Sequence, residues 1–255
     1  MDIGLSIATS ALQATEQGVS IYANDLVNAN TPAFSATAPV FAGLQATLQP
    51  NSALAAGVSG AGAQASIGQG VYLAGQQPMG QAPIQTTGVP TDVAISGDAY
   101  FAVKTAAGTA YTRDGQFSVD AAGNLVTQAG QLVLSTTGQP ITVPAKDTGA
   151  VQIDPQGNVL AGGKPVAQIG VATFTNPQGL VSAGQNSFVA GPNSGPATVG
   201  APGAGVYLTP GAILGSSTDL SATLVAMVEL SRSFALDTHA ASNASQMLAW
   251  AAQIS

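Results

Sequence analysis

The chain has 255 residues, a formal net charge of −7 and no cysteine, which leaves neither a disulfide framework nor a thiolate metal site. Only 7% of its residues are charged, against about 25% in ordinary soluble domains, and the five basic ones stand singly. Nucleic acid is thereby excluded as a partner, because counterion release needs clustered Lys or Arg.

The charges are unevenly spread. None falls between Asp25 and Asp92, and none between Lys164 and Asp219. A free monomer with so uncharged a surface invites association, so copies of the chain are expected to cover one another. No run of about 18 apolar residues is present to span a bilayer. The N-terminus has no basic stretch leading into an apolar one, so export without a cleavable signal peptide is the expectation if the protein leaves the cytoplasm.

Residues 3 to 29 predict one helix. Leu5, Leu12, Val19 and Leu26 recur every seven residues, and Ala8, Thr15, Tyr22 and Ala29 follow three positions later. Such a seam on one side of a helix requires a partner helix. Gly18 reads as the weak point, at about 1 kcal/mol relative to Ala. Asn28, Asn30, Thr31 and Pro32 end the helix, since the residue before Pro avoids the α region. The first segment is taken as 1–45.

Segment 46–90 is Gly, Ala, Gln and Ser with four prolines and no charge. That composition suits a flexible linker. Ile67, Val71, Leu73, Met79 and Ile84 punctuate it, which suits an extended arm laid across a neighbour. Segment 91–214 predicts an all-β domain. Its short alternating runs, such as Val93-Ala94-Ile95 and Phe117-Ser118-Val119, are separated by turn signals at Asp114-Gly115, Gly123-Asn124 and Gly157-Asn158. Asp120-Ala121-Ala122-Gly123-Asn124 is echoed by Asp154-Pro155-Gln156-Gly157-Asn158. Asp-x-x-Gly-Asn builds a turn readily; a calcium loop would need further carboxylates in order.

Segment 215–255 predicts a second helix, with N-cap candidates Ser217, Thr218 and Asp219. Leu220, Met227, Phe234, Ala241 and Leu248 carry the same seven-residue rhythm as the first helix, widened by Leu224, Leu230 and Ala244. The expected fold class is α+β: terminal helices pairing as a coiled coil, an extended arm and a central all-β domain.

Catalytic chemistry finds little footing. His239, the one histidine, has no nucleophile elbow or second His to work with and reads as a surface or interface polar residue. Asp114 and Asp120 could be imagined as paired carboxylates, but both sit in turn contexts. No Gly-rich stretch ends in Lys-Ser or Lys-Thr. No enzyme activity, cofactor, metal or small-molecule substrate is expected. Phe234 and Trp250 read as packing anchors.

The residues resemble a known family. Ala23-Asn24-Asp25-Leu26-Val27-Asn28-Ala29-Asn30-Thr31-Pro32-Ala33-Phe34 is similar to the N-terminal signature of bacterial flagellar rod and hook proteins, roughly ANNLAN-x-x-T-x-GF. Asp219-Leu220-Ser221 through Arg232-Ser233-Phe234 to Gln246-Met247-Leu248 resembles that family's closing helix. Thr91-Asp92-Val93-Ala94-Ile95-Ser96-Gly97 and Tyr111-Thr112-Arg113-Asp114-Gly115-Gln116-Phe117 resemble its central blocks. Asn24, Asn28, Asn30, Thr31, Phe34, Asp219 and Arg232 are the motif residues. Ala33 stands where the family has Gly, Ser35 where it has a basic residue, and Ser231 where it has Gln.

Within the family, the length and the segment Ile67-Gly68-Gln69-Gly70-Val71 look most like the distal rod. The resemblance implies a subunit that polymerises into a hollow helical tube, with paired terminal helices around a channel and the β domain outside. It implies a periplasmic rod in the basal body, carrying torque from motor to hook. The implied partners are further copies, other rod and hook proteins, the basal-body rings and the flagellar export apparatus. A proximal-rod or hook-type subunit is the alternative within the family; a secreted β-rich adhesin is the alternative outside it. Because an unpaired amphipathic helix leaves its stripe in water, the termini of a free monomer are expected to be mobile and to order on assembly.

Overall fold

The N-terminal helix α1 spans Asp2–Val27, and the C-terminal helix α2 spans Leu220–Ile254. This computed structural model describes residues 2–47, 66–144, 148–203 and 205–254. α1 ends where the Asn28 backbone N and side-chain Nδ2 both donate to the Asn24 carbonyl, at 3.1 and 2.9 Å. α2 begins at a side-chain cap. Asp219 Oδ1 accepts from the backbone N of Ser221 and Ala222, at 2.9 and 3.1 Å, which satisfies two otherwise orphaned donors.

The chain folds as two units. The first takes Met1–Ala29, Ser35–Gly80 and Thr218–Ser255. In it α1 lies against α2 and against an antiparallel ribbon of β1 (Thr37–Thr47) and β2 (Ser66–Pro78). The register runs from Thr37 opposite Pro78 to Thr47 opposite Ser66, with irregularities at Val40/Phe41 and Leu44/Gln45. Bulges of this kind bend a ribbon and raise its twist. The segment read as an arm, 46–90, is therefore divided in the structure. Ser66–Pro78 pairs back on Thr37–Thr47, Gln81 onward belongs to the second unit, and 48–65 lie outside the described residues. Periodicity missed this because a long-range strand pair leaves no local signal.

The second unit takes Asn30–Phe34 and Gln81–Ser217, so it contains the end of the N-terminal motif as well as the expected β domain. Two short pairs border it: β3 (Ile84–Thr86) with β18 (Ala212–Leu214), and β4 (Val93–Ser96) with β17 (Tyr207–Pro210). The main sheet is built on β5 (Ala99–Thr105), which pairs with β6 (Gly108–Thr112) along one edge. Next come β7 (Phe117–Val119), β8 (Leu125–Thr127) and β9 (Leu132–Val133). β10 (Val151–Ile153), β11 (Asn158–Ala161) and β12 (Lys164–Gln168) form a separate meander. β13 (Val171–Thr173), β14 (Val181–Gly184), β15 (Ser187–Val189) and β16 (Thr198–Gly200) complete the main sheet. Its order is β14-β15-β6-β5-β9-β8-β7, with β13 joining β5 and β16.

The core of this unit is aliphatic, as the Val- and Ala-rich composition requires. Val93, Ile95, Phe101, Leu125, Val133, Ile141 and Ile169 are all at most 1% exposed. Few aromatics are available, and they meet edge to face: Phe101 with Phe117 at 5.2 Å and Tyr111 with Phe174 at 4.9 Å between centroids.

The two Asp-x-x-Gly-Asn echoes fold identically. Asp120 Oδ1 accepts from the backbone N of Ala122 and Asn124, and Oδ2 from Asn124 Nδ2 at 3.1 Å. Asp154 repeats this with Gln156 and Asn158. Gly123 and Gly157 sit at φ +85° and +80°, where a side chain would be strained. The Asn124 and Ala122 donors hold the Asp120 carboxyl below its ordinary range. At Asp154 desolvation pushes the pKa up, but the Asn158, Gln156 and Gly157 donors outweigh it, and the net shift is downward. A depressed folded-state pKa contributes stability that is present above the unfolded value of about 3.9 and lost as pH falls through the folded one. Below about pH 4 the β unit should therefore lose stability progressively. The double variant Asp120→Asn, Asp154→Asn should show a flatter acid limb in urea unfolding. An unchanged slope would mean these turns do not contribute it.

Candidate assembly surface

α1 buries Ala8, Ala14, Thr15, Gly18, Ile21, Tyr22 and Asp25, while Leu12, Val19 and Leu26 are half-buried. The deepest burial thus follows the Ala8–Thr15–Tyr22 series, three positions beyond the leucine series. Small residues there let neighbouring elements approach closely. Among the residues of α2 whose burial is described, only Thr223 is buried; Ala226, Met227, Leu230, Asp237 and Ala241 are half-buried. Leu220 and Phe234 are exposed, at 48% and 41%. Leu5 and Leu248 lie on the two helices, with side chains outside the described residues.

Gly18 has a role that helix propensity alone conceals. A Cβ at this position would stand 2.5 Å from Leu230 Cδ2 and 2.9 Å from Phe41 Cζ. The missing side chain is what lets α2 and β1 meet α1 at the same level. The ribbon has a matching contact. Gly70, at φ +122°, passes so close to α1 that a Cβ would lie 2.0 Å from Ser10 Oγ. Ser10 Oγ donates to the Ile7 carbonyl at 2.8 Å and accepts from the Val71 backbone N at 3.3 Å. The segment that singled out the distal rod in sequence therefore holds a glycine that β2 needs to cross a helix.

Asp25, 2% exposed, sits where three elements meet. Its Oδ2 accepts from Thr37 N at 3.0 Å, at the start of β1, and its carbonyl accepts from Thr218 Oγ1 at 3.2 Å, just before α2. Burial raises its carboxyl pKa, against the opposing pull of the Thr37 donor. Burial also raises the pKa of Tyr22, helped by the charges of Asp25 and Glu229. Sequence reading quoted Asp25 inside the motif but gave it no role. The signal was there: it is the one acidic residue in a stretch otherwise apolar or neutral from Val19 to Thr91.

The other motif residues scatter. Asn24 is exposed, and its carbonyl serves the helix end. Asn30, Thr31 and Phe34 lie in the second unit, where the Thr31 carbonyl accepts from Phe34 N at 3.3 Å. Asp219 is the α2 cap, and Arg232 is exposed. His239 is exposed on α2. The carboxylate that influences Asp114 is Asp92 rather than Asp120. Burial raises the Asp114 pKa, the Gln116 N–H lowers it, and Asp92 raises it further. Asp114 and Asp92 are both engaged in local bonds, from Gln116 N at 3.0 Å and Thr87 Oγ1 at 2.6 Å.

Several large apolar side chains of the helical unit remain open among its polar ones. Leu224, Val225, Val228 and Leu236 are 47–70% exposed on α2, and Phe41 and Tyr72 are 38% and 46% exposed on the ribbon. Glu16, Val19, Ser231 and Phe234 line a groove of about 220 Å³ between α1 and α2. Exposed large apolar side chains concentrated on one unit are candidates for an interaction surface. None of the described helices is long and apolar enough to cross a membrane.

Comparison with known proteins identifies the family. Residues 94–161, inside the β unit, match the flagellar hook protein FlgE/F/G D1 domain, so the unit is of the flagellar axial class. The match extends well beyond that domain. The chain is 32% identical over 239 residues to the flagellar basal-body rod protein FlgG of Bacillus subtilis, covering 88% of each. It is 31% identical over 276 residues to FlgG of Caulobacter vibrioides, covering 98% of each. It is 33% identical over 193 residues to the basal-body rod protein FlgF of Mesorhizobium japonicum, covering 74% of this chain and 72% of that one. The chain belongs to the flagellar basal-body rod protein family.

Two outcomes test the helical unit. Gly18→Val forces branched carbon atoms into the space of Leu230 and Phe41, and overpacking of this kind costs about 1–3 kcal/mol. Circular dichroism of the assembled form should show a lower melting temperature; an unchanged one would mean the helices do not need this approach. Asp25→Asn keeps an acceptor for Thr37 and removes a desolvated charge. A raised folded-state pKa means that stability is greatest below the unfolded value of about 3.9 and falls as pH rises through the folded one. The variant should therefore be the more stable at neutral pH and lose this part of the pH dependence. Equal stability of the two proteins from pH 4 to 7 would count against a desolvated carboxylate.

Proposed function

We propose that this protein is the distal-rod subunit of a bacterial flagellum. Its copies polymerise into a hollow helical tube that carries torque from motor to hook and leaves a channel for export. α1 and α2 pair as a coiled coil, and the exposed apolar positions of α2 are covered by the helices of neighbouring subunits. The observation that carries this reading is the exposure of six large apolar side chains, Leu220, Leu224, Val225, Val228, Phe234 and Leu236, on a helix with few charges. Burying one such side chain contributes about 1.5–3 kcal/mol, so burying several of them favours a polymer over a monomer. FlgG relatives aligned over 88% and 98% of the chain support this reading. The protein works as a structural element without catalysis, in the periplasmic part of the basal body. It reaches that place through the flagellar export apparatus and touches other rod and hook proteins and the surrounding rings.

Cell-free polymerisation followed by electron microscopy tests this. The full chain should form tubes, and Phe234→Ala should block them while the β unit keeps its thermal transition. Normal tubes from the variant would show that this stripe is not the intersubunit contact.

A further inference from the structure

The hairpin of β14 and β15 contains the strangest backbone in the β unit. Its two loop residues, Gln185 and Asn186, both lie in the left-handed region, at φ +51° and +55°. Two such residues between Gly184 and Ser187 make a type I′ connection, which Asn tolerates and Gln does not favour. Backbone in this region persists only where its surroundings hold it. The hairpin is held from below by Thr112, whose Oγ1 donates to the Asn186 carbonyl at 2.8 Å. Ser187, 1% exposed, donates through Oγ to Gln131 Oε1 at 3.0 Å.

With its backbone fixed in this way, Asn186 is left with its side chain free to reach outward. Its Nδ2 donates to the Pro32 carbonyl, 154 residues away in sequence. Pro32 belongs to Asn30–Phe34, the loop that ends the N-terminal motif. That loop carries strain of its own, because Ala33 sits at φ +55°, a conformation suited to Gly. Two further bonds tie it down: Ala33 N donates to the Leu214 carbonyl at 2.9 Å, and Ser217 N donates to the Phe34 carbonyl at 3.0 Å. Three consecutive residues are thus bonded to two parts of the β unit, the β14–β15 hairpin and the stretch from Leu214 to Ser217, and Ala33 packs on its core.

We propose that Asn186 is a positioning residue: it latches the motif loop onto the β unit in the unassembled subunit, before either terminal helix finds a partner. The free monomer then has its boundaries of order at Ala29/Asn30 and Ser217/Thr218 rather than at the edges of the central domain. The loop from which α1 must grow is already in place when a subunit joins the polymer. The statement about helices rests on the rod reading above; the latch itself does not.

Residue-resolved amide exchange by NMR on the full-length monomer separates the two. Ala33 and Ser217 amides should be protected, whatever the helices do. Asn186→Asp keeps a residue tolerant of the left-handed backbone but removes the donor, and Asn186→Gly relieves the backbone and also removes the donor. Both should speed exchange at Ala33 by roughly tenfold or more while Val103 and Leu125 keep their protection. An unprotected Ala33 amide in the natural sequence, or unchanged exchange in both variants, would overturn the latch. So would equal loosening of Ala33, Val103 and Leu125, which would make Asn186 a turn residue needed for the fold as a whole. Slow exchange along both helices in the same monomer would count against ordering on assembly and leave the latch standing.

Discussion

The helical unit depends on one close approach. Three elements converge on Gly18, and the Leu230 and Phe41 side chains occupy the space a Cβ would need. Most helix pairs keep a layer of side chains between their axes. Here small residues on α1, at Ala8, Ala14, Thr15 and Gly18, make that layer thin, and the larger side chains come from α2 and β1. The cost of a glycine in mid-helix, about 1 kcal/mol, is offset by the packing it permits. The same device appears at Gly70, where β2 crosses α1 against Ser10. Leu230 of α2 packs into this contact, while Leu224, Val225, Val228 and Leu236 of the same helix stay exposed.

The scarcity of charge has a structural counterpart. Several of the twelve carboxylates are employed locally: Asp120 and Asp154 organise turns, Asp219 caps a helix, and Asp92 takes the Thr87 hydroxyl. Neutral hydrogen bonds and aliphatic packing do the rest. Asp25 is the exception. Its carboxyl is buried at a meeting of helix, strand and helix, with Tyr22 nearby and one backbone donor to support it.

Much of the architecture could be read from residue order. The two helices, the β nature of the middle, the Asp219 cap and the paired turns all follow from periodicity and local side-chain chemistry, and α1 and α2 fall within a residue or two of expectation. The pairing of β1 with β2 was not legible. Its strands are separated by 18 residues, and alternation in a Gly-rich sequence is too weak to fix a register. The stripe on α1 was legible as a stripe, but the deepest burial falls on the smaller-residue seam beside it. Hydrophobicity ranks Leu above Ala; close approach ranks them the other way. Asn186 carried no signal at all, because its importance lies in what it reaches across 154 residues.

Amino-acid order alone therefore determined the two helices, the β character of the middle, several caps and turns, the scarcity of charge and the family to which the chain belongs. These are set by interactions within a few residues or by composition, and they need no partner to be expressed. The tertiary structure alone decided where close contact occurs: which glycines stand against a neighbour, which carboxylate is buried, and which loop the β unit holds. Those properties arise from segments far apart in the chain, whose mutual distance no local pattern specifies.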